Sequence, residues 1–167
     1  ALQAMADGLA DCETDVLAAN KIDADAGRTN GLSEALIDRL TLTPERLQSV
    51  ASDVRAIASL PDPIGEIFAE SVLPNGLQIR RQRVPIGVLG VIYESRPNVT
   101  IDVSALAIKT GNVALLRGGS ETIQRNRALV GVVQRALQQA DLPQSVVQFI
   151  DDSNRKYVAD LLQLHDY

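Results

Sequence analysis

The sequence predicts an α/β fold: N-terminal helices, then a Rossmann-like parallel sheet with helices on both faces, incomplete within this chain. Three observations carry that expectation. Apolar residues in the first 57 positions recur every three or four residues, the spacing of one helix face. Short apolar runs at 88–93, 113–116 and 146–150 are separated by helical patterns, the order of a parallel sheet with right-handed crossovers. The stretch from 85 to 121, PIGVLGVIYESRPNVTIDVSALAIKTGNVALLRGGSE, puts a polar turn after one strand and a glycine-rich loop after the next, where such folds build ligand pockets.

The elements follow in order. Leu2, Met5, Leu9, Cys12 and Val16 share one face of a helix over 1–19. Cys12 lies in that stripe and reads as a small buried hydrophobe rather than a nucleophile. A polar loop is expected over 20–31. Ser33 is placed to cap a short helix through Leu40. Thr43-Pro44-Glu45 is a helix start, with a cap residue, Pro at the first helical position and an acid behind it. Leu47, Val50, Val54 and Ile57 form the inward stripe of that helix. Residues 60–65, Leu-Pro-Asp-Pro-Ile-Gly, are a breaker-rich connection.

Leu73-Pro74-Asn75-Gly76 reads as a turn, and Leu77, Ile79, Gln82 and Val84 as a strand. Arg80, Arg81 and Arg83 interleave with it, either as a solvated face or as a match for a partner's acidic rim. The run at 88–93 is apolar enough to be buried on both faces. The helix over 98–110 carries apolar residues on two sides, Val99, Val103 and Leu106 against Ile101, Ala105 and Ile108, and is expected to be enclosed. Gly111-Asn112 ends it. Ser120 is placed to cap a helix to about Gln139, with Leu129, Val130, Val133 and Leu137 inward. Pro143 breaks that pattern, and Ser153 or Asn154 caps a last helix whose apolar side holds Tyr157, Val158, Leu161 and Leu162.

Composition narrows the function classes. A chain of 167 residues, 46% hydrophobic and 22% charged, is sufficient for one domain with a core. A net charge of −5, 3% aromatic residues and no Trp argue against nucleic-acid partners. One Cys and one His leave no zinc site or disulfide framework, so no metal is expected. No apolar run reaches the ~20 residues that span a bilayer, and no signal peptide is visible. A cytoplasmic location without a membrane partner follows as the expectation. The chain opens at Ala1 inside a helical pattern and stops at Tyr167 without a cap, which reads as a piece of a longer protein.

Two constellations could carry chemistry. In Arg117-Gly118-Gly119-Ser120-Glu121, a strand ends and two glycines lead into a helix, a setting that suits phosphate or ribose oxygens and equally suits a plain strand-to-helix turn. It is neither a P-loop nor a GxGxxG fingerprint. In Glu94-Ser95-Arg96-Pro97-Asn98, Asn98 is a natural N-cap that could instead donate to an oxyanion. Arg96 could pair with a carboxylate or phosphate. Lys109 and His165 read as structural or surface residues. No nucleophile–base pair stands out, and Ser95, Ser104 and Ser120 lack a GxSxG setting.

The stretch RVPIGVLGVIYESRPNVTIDVSALAIKTGNVALLRGGSE, with Asn30-Gly31-Leu32-Ser33, Asp38-Arg39-Leu40 and residues 60–65, resembles the γ-glutamyl phosphate reductase family. That family is the proline-biosynthesis branch of the aldehyde dehydrogenase superfamily, and the resemblance runs along the whole chain. It implies reduction of L-glutamyl 5-phosphate to glutamate 5-semialdehyde with phosphate release and NADPH as cofactor. It implies a thiolate that forms a thioacyl-enzyme; Cys12 does not match the motif of that thiol, which belongs to a later segment. Arg117, Gly118, Gly119, Ser120 and Glu121 match the cofactor-binding loop, Arg117 standing where the superfamily usually has Lys. Ser95 and Arg96 fall on the substrate side, and Asn98 near the oxyanion-hole Asn. Residues 151–155 stand where many superfamily members have a glycine-rich turn.

The resemblance divides the chain into an N-terminal helical segment (1–64), a linker and strand of the oligomerisation region (65–84) and the first part of an NADP-binding α/β domain (85–167). It implies a homo-oligomer, with glutamate 5-kinase as a further partner. Another acyl-reducing aldehyde dehydrogenase relative and a non-catalytic nucleotide-binding module of the same fold are the alternatives.

Overall fold

The computed structural model describes residues 1–152, 154 and 156–164. Four helices come first: α1 (Leu2–Asp11), α2 (Glu13–Thr29), α3 (Glu34–Leu40) and α4 (Pro44–Ser59). An antiparallel hairpin follows, β1 (Ile67–Val72) and β2 (Gln78–Gln82). The remainder alternates β3 (Val88–Ile92), α5 (Val99–Lys109), β4 (Val113–Arg117), α6 (Ile123–Gln139), β5 (Val147–Phe149) and α7 (Lys156–Leu162).

Strands β3, β4 and β5 form one parallel sheet in that order, with register Val88↔Val113 through Ile92↔Arg117 and Ala114↔Val147 through Leu116↔Phe149. Helices α5 and α6 pack on the sheet and on each other, and α1, α2 and α4 form an outer layer over them. One core runs through these layers. Met5, Leu9 and Val16 meet Leu47, Val50 and Val54 of α4, Ile101 and Ala105 of α5, Leu129, Val133 and Leu137 of α6, and Ala114 and Leu116 of β4. On the opposite face of the sheet, Leu161 of α7 lies within 3.9 Å of where a Cβ on Gly90 would stand.

Several expectations are corrected by this packing. The first helix breaks at Cys12, so α1 and α2 are separate, and Cys12 is half-buried at the bend. Residues 20–29 are helix rather than loop, because their polar side chains face other backbones. The Asn20 amide donates to the Leu40 carbonyl (2.8 Å), and its oxygen accepts from the Leu42 amide (2.7 Å). Strand β3 is an edge strand whose outer face is only partly covered, with Val88 50% and Ile92 43% exposed. Helix α5 is likewise one-sided: Ile101 and Ala105 are fully buried, while Leu106 is 49% exposed. Gly111, at φ +68°, ends α5 as expected, and a Cβ there would come within 2.7 Å of Ile64 Cδ1.

The start of α4 also follows the sequence signals, with Thr43 Oγ1 accepting from the Arg46 amide (3.2 Å) and Pro44 at the first helical position. Ser33 and Asn98 occupy N-cap positions without bonding the helix backbone through their side chains. Ser153 and His165 lie outside the described residues, whereas Asn154 Oδ1 accepts from the Lys156 amide (2.9 Å) before α7. The hairpin stands exposed along both strands, and β1 is a strand within the stretch 65–84 expected as linker and one strand. Two of the three arginines are paired locally: Arg80 with Glu70 (3.2 Å), and Arg83 with Glu66 (2.5 Å) and over the Phe68 ring.

The N-terminus of α6 is capped from a distance. Thr122 occupies the N-cap but supplies no side-chain bond. Instead the buried Asp23 carboxylate of α2 accepts from the Gln124 amide (3.1 Å) and the Arg125 amide (2.8 Å). Burial pushes this carboxyl up from its usual range, and the two amides and the Arg125 charge pull it back down. Asp23→Ala should therefore cost about 2 kcal/mol through loss of the cap. Asp23→Asn, which keeps one acceptor, should cost less, with both read as midpoint shifts in thermal denaturation.

Candidate functional site

Strands β3 and β4 finish side by side, the Tyr93 amide donating to the Arg117 carbonyl (3.0 Å). Their two loops leave the same end of the sheet, so the motifs at 94–98 and 117–121 face one another. Ser95 Oγ donates to Glu121 Oε1 across the gap, and Ser120 Oγ donates to Glu121 Oε2 (3.1 Å). A cleft of about 460 Å³ opens here, bounded by Glu94, Ser95, Arg96 and Glu121 with Arg39 and Leu36 of α3.

The two glycines have internal reasons to be glycine. A Cβ on Gly118 would lie 2.2 Å from Asn126 Nδ2 and 3.3 Å from the Tyr93 ring. A Cβ on Gly119 would lie 2.6 Å from Glu121 Oε1 and 2.8 Å from Ser95 Oγ. The loop is thus pressed against the protein's own polar side chains. Ser120 does not cap the following helix as expected; it opens a 3₁₀ turn (Ser120–Thr122), and α6 starts after it. Arg117 is 9% exposed and donates from Nη1 to the Gly118 carbonyl (2.7 Å).

A buried polar network underlies both loops. Arg125, 0% exposed, donates from Nη1 to the Leu40 carbonyl (2.9 Å) and from Nη2 to the Ser95 carbonyl (3.2 Å). Asn126 Nδ2 donates to Thr122 Oγ1 (3.1 Å), its Oδ1 accepts from Thr100 (3.0 Å), and Thr100 meets the Tyr93 hydroxyl (2.8 Å). Burial pulls the Arg125 guanidinium down to about 10, against the opposing charge of Asp23. Burial likewise pushes the Tyr93 phenol up, against its bond to Thr100. The sequence reading missed these residues. A signal existed: Arg125 and Asn126 stand four residues before Leu129 and Val130, on the inward stripe of α6.

Asn98 is carried away from Ser95 and Arg96. Its amide donates to Asp102 Oδ2 (2.7 Å), one turn along α5. It borders a neighbouring cleft of about 360 Å³ between α3, α4 and the start of α5, with Pro97, Arg39, Arg46, Asp38 and Asp53. Arg39 borders both clefts. Cys12 lies elsewhere, with Arg135 Nη2 3.1 Å from its sulfur. Lys109 has a structural role, donating to the Ala58 carbonyl (3.1 Å). Among the described residues no cluster of three or more His, Cys, Asp or Glu is placed to hold a metal, and no helix is long and apolar enough to cross a membrane. Gly118→Ala should lower the melting temperature by several degrees, since displacing Asn126 and Tyr93 costs on the order of 2 kcal/mol; an unchanged melting temperature would show that the loop yields freely.

No family model matches the chain. A benzaldehyde dehydrogenase from Corynebacterium glutamicum, described as NAD-dependent, superposes with a TM-score of 0.64 at 21% identity, over 96% of this chain and 32% of its own. The fold is therefore that of the aldehyde dehydrogenases. The γ-glutamyl phosphate reductase of Thermotoga maritima superposes with a TM-score of 0.95 at 40% identity, over 99% of this chain and 40% of its own. The γ-glutamyl phosphate reductase of Actinobacillus succinogenes is 53% identical over 167 residues, 100% of this chain and 40% of the relative. The chain belongs to the γ-glutamyl phosphate reductase family, whose N-terminal portion it matches. It spans 40% of the length of these relatives.

Proposed function

We propose that the whole protein is an NADPH-dependent reductase converting L-glutamyl 5-phosphate to glutamate 5-semialdehyde and phosphate. The observation that carries this reading is the end-to-end match at 53% identity to a curated reductase. The convergence of both motifs at the carboxyl ends of β3 and β4 agrees with it. In this reading Arg96 and Ser95 receive the phosphate-bearing end of the substrate, a guanidinium and a hydroxyl suiting phosphate oxygens. Asn98 polarises the acyl oxygen with the amide hydrogen that its bond to Asp102 leaves over.

The loop at 117–121 fits the ribose side of a nicotinamide dinucleotide. Arg117 brings a positive charge to the strand end, Ser120 offers an exposed hydroxyl and Glu121 a half-buried carboxylate. The cofactor supplies hydride when bound. Arg117, Gly118, Gly119, Ser120 and Glu121 are the residues assigned to hold it. The nucleophilic thiol is assigned to the part of the relatives that this chain does not span, because Cys12 sits at the α1–α2 bend beside Arg135. The hairpin at 67–82 is assigned to contacts between copies in a homo-oligomer, within the linker and strand region 65–84. The helical segment 1–64 precedes it, and the NADP-binding domain begins at 85. A cytoplasmic location, and glutamate 5-kinase as the partner that hands over the acyl phosphate, complete the reading.

The test is steady-state kinetics on the full-length protein, supplied with glutamate 5-semialdehyde, phosphate and NADP. Phosphate-dependent NADPH formation is expected; its absence overturns the reading. In the forward, NADPH-oxidising direction of the same protein, Arg117→Ala should raise the KM for NADPH about tenfold, equivalent to roughly 1.4 kcal/mol for a charge-assisted contact. Cys12→Ala should leave kcat within about twofold of the parent, because a half-buried thiol remote from both clefts takes no part in acyl transfer. A kcat lost with Cys12 would return it to the reaction.

A further inference from the structure

The cleft beside Asn98 carries both signs of charge on both of its helices, Asp38 and Arg39 from α3 and Arg46 and Asp53 from α4. Asp38 and Arg46 pair with each other (3.7 Å). Arg46 is held in place, donating from Nη1 to the Asp38 carbonyl (3.0 Å) and the Thr41 carbonyl (2.7 Å), while Arg39 has no hydrogen-bond or ion-pair partner among the described residues. On the α4 side stands Asp53, likewise without a partner among the described residues, close enough to Asp102 for the two carboxylates to repel. Burial pushes the Asp102 carboxyl up, its bond from Asn98 opposes this, and the Asp53 charge pushes it further in the same direction. The Asp53 and Asp102 charges thus repel one another beside Asn98, a cost that an arriving ammonium would relieve.

We infer that this cleft takes the amino-acid end of the substrate, its α-ammonium at Asp53 and its α-carboxylate at Arg39. The inference rests on the reductase reading and deepens it. Arg39 borders both clefts, so the phosphate end extends towards Arg96 in one and the zwitterionic end towards α4 in the other. Selectivity for an amino-bearing acyl group is then set by Asp53, a specificity-determining residue outside the motifs at 94–98 and 117–121. An uncharged or purely anionic acyl chain would leave Asp53 facing Asp102 unrelieved, which is how a charged pocket rejects analogues.

The experiment compares two aldehydes in the phosphate-dependent reverse reaction of the full-length protein: glutamate 5-semialdehyde and 5-oxopentanoate, which lacks the α-amino group. The parent enzyme should favour the amino-bearing aldehyde. Asp53→Asn should raise the KM for glutamate 5-semialdehyde roughly tenfold, lower the KM for 5-oxopentanoate, and so erase most of the preference. Arg39→Ala should raise the KM for both aldehydes, since both keep the carboxylate, with partial recovery in Arg39→Lys. An active parent whose preference survives intact in Asp53→Asn overturns this inference alone. A parent inactive on both aldehydes overturns the reductase reading together with it.

Discussion

The buried guanidinium of Arg125 is the constraint on which the site depends. It joins three pieces of chain distant in sequence: the end of α3 through the Leu40 carbonyl, the turn after β3 through the Ser95 carbonyl, and the α6 N-terminus to which it belongs. A buried cation is costly unless its donors are met and a counter-charge stands near. Asp23 meets the second need while capping α6, so one carboxylate serves a helix terminus and a buried charge at once. What this buried charge secures is the relative position of α3 and the two strand-end loops. Without that position neither cleft has its walls.

The loops themselves are positioned by close packing of polar groups. Gly118 and Gly119 bring backbone against Asn126, Tyr93, Ser95 and Glu121, where a single added carbon would overlap a polar atom. The Ser95–Glu121 and Ser120–Glu121 bonds then tie the turn after β3 to the loop after β4. Sites built this way are stiff, because the side chains that make the bonds are themselves held by neighbours. The exposed arginines, Arg39 and Arg96, sit at the rim of this stiff frame, where charge is free to meet a ligand.

Other surfaces remain open in a systematic way. The outward residues of β3, one face of α5 and both strands of the hairpin present apolar side chains to solvent. The ion pairs along the hairpin, Arg80 with Glu70 and Arg83 with Glu66, keep its strands in register while leaving its apolar residues outward.

What was legible in the sequence follows from local physics. Period and turn chemistry located the α4 start, the end of α5 at Gly111 and the three parallel strands, because each depends on neighbours within a few residues. The grouping of Ser95 with Glu121 was foreshadowed by the order of strand, turn, helix and strand. The burial of Arg125, the capping of α6 by Asp23 and the helical state of residues 20–29 depended on partners about twenty to a hundred residues away. Polar side chains satisfied by distant backbone look, in sequence, the same as polar side chains satisfied by water. The exposure of β3 and Leu106 was misjudged for the converse reason: apolar composition states what a face can bury, and only the tertiary arrangement decides what covers it. The two clefts and the split of Asn98 from Ser95 were decided there too, since a turn of four residues can aim its side chains to either side of a helix end.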